Sequence, residues 1–450
     1  VVTGLASAAI GAGRVRARTN RQPNVLFIMA DDLGAHDIGC FGHPWHRTPA
    51  IDGLCVQGLA FDQAYANSPT CSPTRTALIS GQYQYRHTVG LYDPLPRGGK
   101  SVGYPPQAQS LPRLFKQAGY HTALVGKWHL GALPNFGPLR SGYDEFFGPV
   151  ESAMDYVNHR PMGAGSAAAS MLHEGESTVE RQGYATDLFS DRACQLIERW
   201  WAQPFLLSLH YTAPHFPWQA PGDAPTDEHF SGNHDAGSHA TYARMVEALD
   251  AGIGRVLKVL ERLRLADDTI VVFTSDNGGE RYSFQWPLRG TKTELWEGGI
   301  RVPAIIRWPG RIRRTRTRLH TLSMDWLPTL LRLVGAKPSE AVFDGADLSN
   351  SMLEPSKAGS TERTLFWRTQ DMVAVRKGRW KYVREEAREY LFDLDADPGE
   401  RANRRLAQPD IASDLRQRFD AWDSTMLPIP AEARRPRARL RQEFEALDRR

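Results

Sequence analysis

Short apolar runs recur along the chain, separated by longer stretches whose apolar positions repeat at helical spacing. Residues 24–30 (NVLFIMA) are apolar after the leading Asn24, with no polar alternation. A strand with one wet face alternates, so an unbroken run of this length predicts a strand covered on both faces. Residues 122–126, 205–210, 269–275 and 302–308 read the same way. Helical patterns fall between and around them, at residues 49–58, 76–79, 110–118, 186–201, 242–263 and 321–334. Strands alternating with helices predict an α/β fold built on a doubly wound, mostly parallel sheet.

After about residue 345 the texture changes. Residues 364–368, 372–376, 380–383 and 390–394 are closely spaced strand candidates, followed by a helical pattern at 411–422. This spacing predicts a smaller C-terminal subdomain, an antiparallel sheet with a helix laid on it. The expected organisation is a lead at 1–22, an α/β body at 23–345, an α+β subdomain at 346–427 and an Arg-rich tail at 428–450.

Composition narrows the function classes. Hydrophobic residues make up 41% and charged residues 24% of the 450 positions, near the globular average. No run approaches the roughly 18 apolar residues of a spanning helix, which excludes a polytopic membrane protein. The net charge of +4 resides in the ends: residues 1–22 carry four Arg and no acid, and residues 431–450 carry seven Arg against four acids. The body between them is acidic, so nucleic acid is not an expected partner. Four cysteines are too few for a disulfide scaffold; Cys40, Cys55 and Cys194 read as buried free thiols. The small, apolar residues 1–13, followed by Val15-Arg16-Ala17, read as the remnant of an export signal, and hence an exported, periplasmic protein.

Ligands of open α/β sheets bind outside the carboxyl ends of the strands. The first apolar run is followed by Asp31-Asp32, the second by Lys127-Trp128-His129, the third within a few residues by His215, and the fourth by Asp276-Asn277. Asp31, Asp32, Asp276 and Asn277 offer oxygen and no sulfur, a set suited to Ca²⁺ or Mg²⁺ rather than Zn²⁺. Three carboxylates exceed a divalent charge by one, which frees one to act on the proton of a nucleophile. Cys71 precedes Ser72, a reasonable N-cap, and Pro73, which suits a first helical position. It therefore lies at a predicted helix start, where an anion is favoured, with Arg75 one turn in.

Cys71-Ser72-Pro73-Thr74-Arg75, with Leu78, Ser80 and Gly81 behind it, resembles the Cys-x-Pro-x-Arg signature of the type I sulfatases of the alkaline phosphatase superfamily. The resemblance extends in order through 31–34 (DDLG), 126–131 (GKWHLG), 213–215 (APH), 276–278 (DNG), 288–292 (LRGTK) and 297–303 (EGGIRVP). It also covers Trp380-Lys381-Tyr382 and 391–394 (LFDL), so that it runs from about residue 23 to 425. Thr74 and Ser80 depart from the commoner Ser and Thr, and both keep a hydroxyl.

The resemblance implies that a formylglycine-generating enzyme oxidises Cys71 to an aldehyde, whose hydrate is the nucleophile on sulfur. It implies a metal ion, Ca²⁺ with Mg²⁺ as the alternative, held by Asp31, Asp32, residue 71, Asp276 and Asn277. Asp276 would take the nucleophile's proton, and Arg75 and Lys127 would surround the hydrate with positive charge. His215 and Lys292 would bind sulfate and help the leaving oxygen depart, and His129 would act on the second hydroxyl to regenerate the aldehyde. Residues 142–148 (GYDEFFG) with Asp155-Tyr156 are similar to arylsulfatases and N-acetylgalactosamine sulfatases, which favours a sulfated sugar or aryl sulfate as substrate. Two alternatives stand beside this reading: a phosphonate monoester or phosphodiester hydrolase of the same superfamily, and a non-catalytic binder of sulfated glycan. His43, His46, His87, Asp155 and His159 are lesser candidates, and the six Arg between 307 and 318 form a solvated face or a contact for an anionic polymer.

Overall fold

The Asn24–Ala30 strand is buried along its whole length and pairs in parallel with Phe205–His210 on one side and Thr269–Ser275 on the other. The computed structural model of the chain describes residues 22–96, 98, 100–162, 168–226, 237–354 and 363–434. The predicted lead is outside the described residues up to position 21, as is the tail from 435 onward. The main sheet runs Thr315–Thr317, Leu59–Phe61, Ala304–Arg307, Thr269–Ser275, Asn24–Ala30, Phe205–His210, His121–Gly126, Glu145–Pro149, Leu172–Glu174, Ser177–Thr178. Its centre, from Thr269–Ser275 to Glu145–Pro149, is wholly parallel.

Alternate residues of the central strand feed two cores. Val25, Phe27 and Met29 pack with Leu78, Phe115 and Trp326, from the helices Cys71–Ser80, Leu111–Gln117 and Trp326–Leu333. Leu26, Ile28 and Ala30 pack with Ile51, Phe189 and Val246, from the helices Pro49–Gln57, Ala185–Arg199 and His239–Arg262. Helices on both faces explain why the central strands lack polar alternation. No helix among the described residues is long and apolar enough to cross a membrane.

The run expected as one parallel strand at 302–308 divides in two. Arg301–Val302 joins Ala64–Tyr65 in a small separate sheet, and Ala304–Arg307 runs antiparallel to Thr269–Ser275. Pro303 stands at the division; without an N–H it cannot continue a ladder. The pattern at 321–334 likewise begins with a short strand, Thr321–Leu322, before its helix.

The C-terminal sheet is antiparallel, in the order Thr364–Arg368, Met372–Lys377, Trp380–Glu385, Arg388–Asp393. Val373, Val375, Tyr382 and Leu391 pack under Ala412, Leu415 and Phe419 of the Pro409–Asp423 helix. The opposite face sets Leu365, Trp367, Ala374 and Phe392 against Tyr83, Leu91 and Trp296 of the body. At this seam the buried Lys381 Nζ lies 2.9 Å from Glu297 Oε1 and 2.8 Å from Glu400 Oε1.

The three cysteines expected to be buried, Cys40, Cys55 and Cys194, are only partly so. They line the outer margin of the second core rather than its interior.

Candidate active site

The carboxyl ends of the parallel strands deliver the predicted residues to one place. Asp31 and Asp32 directly follow Ala30, Lys127 follows Gly126, and Asp276 follows Ser275. Gly126 has φ 103°, and a Cβ there would stand 1.8 Å from the His210 carbonyl of the neighbouring strand. Only glycine allows this close turn, which sends Lys127 inward. Asp32 and His129 themselves adopt left-handed backbone, at φ 64° and 58°. Non-glycine residues in that region carry strain, which the surrounding packing maintains.

Cys71 opens the Cys71–Ser80 helix, earlier than expected. Ser72 is not the N-cap; its hydroxyl accepts from Leu95 N at 2.7 Å and fastens the 91–95 segment over the helix start. Cys71 Sγ points at the acidic pair, 3.4 Å from Asp31 Oδ1 and 3.9 Å from Asp32 Oδ1. Arg75, one turn on, reaches back: its Nε and one terminal nitrogen lie 3.0 and 2.8 Å from Asp276 Oδ2, and its other terminal nitrogen donates to Lys127 O at 3.0 Å.

Each remaining carboxylate oxygen has its own cation or amide. Lys127 Nζ donates to Asp31 Oδ2, and Lys292 Nζ to Asp32 Oδ2, both at 2.6 Å. Asn277 Nδ2 donates to Asp32 Oδ1 at 2.7 Å, and Asp32 N to Asp276 Oδ1 at 3.2 Å. His215 Nε2 is 3.6 Å from Asp32 Oδ2, while its Nδ1 lies 2.5 Å from Phe216 O. His129 Nε2 faces Leu95 O at 3.2 Å, leaving Nδ1 buried without a hydrogen-bond partner.

Burial and charge set the protonation states. Burial pushes the Cys71 thiol well above its usual range, and the negative Asp276 and Asp31 add to this. Burial also raises Asp276, helped by Asp31 and opposed by Arg75. Burial alone would raise Asp32, yet it falls below its usual value, chiefly through Lys292. His129 and His215 are driven well below 6.5 by burial, then by Lys127 and Lys292 respectively, and are neutral at physiological pH. Lys292 stays cationic despite burial, held by Asp32 and Glu280.

Three carboxylates against three fixed cations leave this buried cluster close to neutral. The cluster can hold a metal ion: Asp31, Asp32, Cys71 and His215 present ligand atoms within 4.8 Å of one another. Asn277 Oδ1 is buried with no hydrogen-bond donor, an uncompensated carbonyl oxygen of the kind such an ion takes.

Glu280 escaped sequence reasoning. It is 6% exposed and close enough to Lys292 and Asp32 to feel both; burial raises its carboxyl to about 7. Its Oε2 has no hydrogen-bond partner. The signal was an acid three residues beyond Asn277, in a turn that reads as solvent-exposed. Tyr156 is likewise internal: its hydroxyl donates to Thr212 O and His215 O, supporting the His215 loop from beneath.

The lesser candidates lie outside the cluster. Asp155 accepts from Val157 N, Asn158 N, Gln219 Nε2 and Thr226, and so joins two loops. His159 contacts Gly183 O, and His87 contacts Gln82. His43 and His46 stack on each other at 3.4 Å, with His43 edge-on to Phe284. The Arg run is partly neutralised internally: Arg316 pairs with Asp62, Arg318 with Asp395, and Arg307 is buried beside Gln57.

Comparison with known proteins agrees with this architecture. The sulfatase family profile matches residues 23–336. N-acetylgalactosamine-6-sulfatase of Canis lupus familiaris is 34% identical over 84% of this chain and 74% of its own. Steryl-sulfatase of Mus musculus is 31% identical over 94% of this chain and 83% of its own. The crystal structure of Ps i-CgsB in complex with k-i-k-neocarrahexaose superposes with a TM-score of 0.82, at 27% identity over 95% of this chain and 98% of that one. The chain belongs to the sulfatase family. It is an enzyme, a hydrolase of sulfate esters.

Proposed function

We propose that this sulfatase releases inorganic sulfate from a sulfated carbohydrate or aryl sulfate, using residue 71 as formylglycine and one divalent cation, Ca²⁺ before Mg²⁺. The observation that carries the reading is the placement of Cys71 Sγ between Asp31 and Asp32. The uncompensated Asn277 Oδ1 belongs to the same ring of residues. Asp31, Asp32, Asp276, Asn277 and residue 71 would hold the ion, which supplies Lewis-acid polarisation and a net positive site for the sulfate anion. Formylglycine supplies a hydrated aldehyde, with one hydroxyl to attack sulfur and a second whose deprotonation expels sulfate.

The side chains divide the remaining work. Asp276 receives the proton of the attacking hydroxyl. Arg75 and Lys127 are fixed cations that orient the nucleophile and disperse charge on the transferring group without reorganising. Lys292 binds a sulfate oxygen, and the negative charge of the ester draws onto His215 Nε2 the proton that it gives to the leaving oxygen. His129, with Nε2 directed at Leu95 O, offers a bare Nδ1 as base for the second hydroxyl. Maturation by a formylglycine-generating enzyme and export to the periplasm complete the reading.

The relatives act, by their names, on an N-acetylgalactosamine 6-sulfate and a steryl sulfate, and the Ps i-CgsB structure holds k-i-k-neocarrahexaose. The carbohydrate reading follows the first and the third. Its test is a panel of sulfated sugars, an aryl sulfate, and matched aryl phosphonate and phosphodiester esters, with released sulfate measured directly. Fastest turnover on a sulfate ester is the expected result. Faster phosphonate cleavage, or binding of sulfated glycan without hydrolysis by matured protein, overturns the proposal.

A further inference from the structure

Cys40 and Cys55 approach each other across the loop that carries His43, Trp45 and His46. Cys40 belongs to the short turn Gly39–Phe41, and Cys55 to the last part of the Pro49–Gln57 helix. The turn is bound tightly to that helix. Cys40 N donates to Asp52 Oδ1 at 2.7 Å, Gly39 N donates to Thr48 Oγ1 at 2.9 Å, and a Cβ on Gly39 would stand 2.6 Å from Asp52 Oδ2. Asp52 and Cys55 are three residues apart on the helix and therefore share a face. One terminal nitrogen of Arg316 touches both segments, 3.0 Å from Cys40 O and 3.8 Å from Cys55 Sγ. Both residues are only partly buried.

We propose that Cys40 and Cys55 are a disulfide site that closes the 41–54 loop over the margin of the second core. The turn and the helix are tied together on both sides of the pair, by Cys40 N on Asp52 and by Arg316 on Cys40 O and Cys55 Sγ, and the two thiols are close enough to influence each other. The Arg316 guanidinium against Cys55 Sγ favours the Cys55 thiolate, which makes Cys55 the attacking sulfur. The Cys55 thiolate attacks one sulfur of an external disulfide, such as glutathione disulfide or a dithiol–disulfide oxidoreductase. The external S–S bond breaks, one thiol leaves, and a mixed disulfide on Cys55 remains. Cys40, after losing its proton to solvent, attacks the Cys55 sulfur and expels the second thiol. The protein pair is oxidised by two electrons, and the external disulfide is reduced to two thiols.

The bond would act on the rim of the site. His43 packs edge-on to Phe284, and Phe284 N and Ser283 Oγ both donate to Asp37, so the 41–54 loop abuts the segment that follows Asp276-Asn277. Closing this 14-residue loop removes freedom from the unfolded chain and steadies that rim in the folded one.

The test uses the full-length protein, equilibrated separately in oxidised and reduced glutathione. Free thiols are then blocked with iodoacetamide, and peptides are mapped without reduction. The expected result is a linked peptide pair containing Cys40 and Cys55, two hydrogens lighter than the separate peptides, with Cys194 alkylated. Cys194 has no thiol beside it among the described residues and serves as the internal control. Reduction is expected to lower the melting temperature by about 3 °C. The Cys55→Ala variant is expected to lose this redox dependence and leave Cys40 open to alkylation. Should it not fold, Cys40→Ala with Cys55 retained gives the same reading. Full alkylation of Cys40 and Cys55 after excess glutathione disulfide overturns the proposal, as does a bond from either to Cys194.

Discussion

Cys71 Sγ stands 3.4 Å from Asp31 Oδ1, and the second oxygen of that carboxylate accepts from Lys127 at 2.6 Å. The sulfur is thus held at the junction of an acid and a cation, buried at the start of a helix. Replacing it tests the nucleophile. Cys71→Ser keeps one hydroxyl but supplies no second one to collapse, so it should transfer sulfate once and stall. The expected steady-state loss is about 10³-fold or more, with a sulfated peptide detected by mass after incubation with substrate. Multiple turnovers at the wild-type rate would remove residue 71 from the chemistry.

Arg75 places two nitrogens on one oxygen of Asp276 and a third on Lys127 O. Lysine cannot reproduce that fork. Arg75→Lys should lower kcat by about 10²–10³-fold while the fold persists, measured by steady-state kinetics beside a melting curve. Unchanged kcat would make Arg75 a purely structural cation.

The bare Oδ1 of Asn277 makes metal dependence specific to a residue. Chelation should abolish turnover, and Ca²⁺ should restore it while raising the melting temperature of wild type. Asn277→Ala should need a higher Ca²⁺ concentration for the same shift, followed by titration with fluorescence-detected melting. Equal shifts in both proteins would place the ion elsewhere.

Glu400 sits in the seam beneath Lys381, and burial raises its carboxyl from 4.5 to about 7. The folded state therefore binds more protons than the unfolded one between those values, and stability falls as pH rises from 4.5 to 7. Glu400→Gln should remove that slope, on the order of 1–3 kcal/mol across the window, in denaturant titrations at the two pH values. Lys381→Met, which removes the ammonium held between Glu297 and Glu400, should cost about 3–5 kcal/mol at neutral pH. A variant as stable as wild type would show that the seam does not depend on this pair.

The main sheet was legible because its strands are covered on both faces, which forces unbroken apolar runs such as 24–30. Residues 302–308 misled for a local reason: apolar character continues through Pro303, but the ladder does not. The acids at the strand ends were legible because a charge directly after a buried strand has few structural reasons to be there. Glu280 was not legible: it is buried and meets the charge of Lys292, twelve residues away, only in the folded chain, and no local pattern records that. The start of the Cys71–Ser80 helix was missed because Ser72 looked like a cap, while its hydroxyl is engaged by Leu95. The closeness of Cys40 and Cys55 depends on a loop folding back, which spacing alone does not encode.

The most direct measurement is the mass of the proteolytic peptide containing residue 71, taken from protein made in a host that matures a control sulfatase. The same preparation is assayed for sulfate release. An aldehyde or its hydrate at residue 71, in proportion to the turnover of each preparation, is the expected result. An unmodified Cys71 thiol in protein that turns over fully would contradict the formylglycine mechanism.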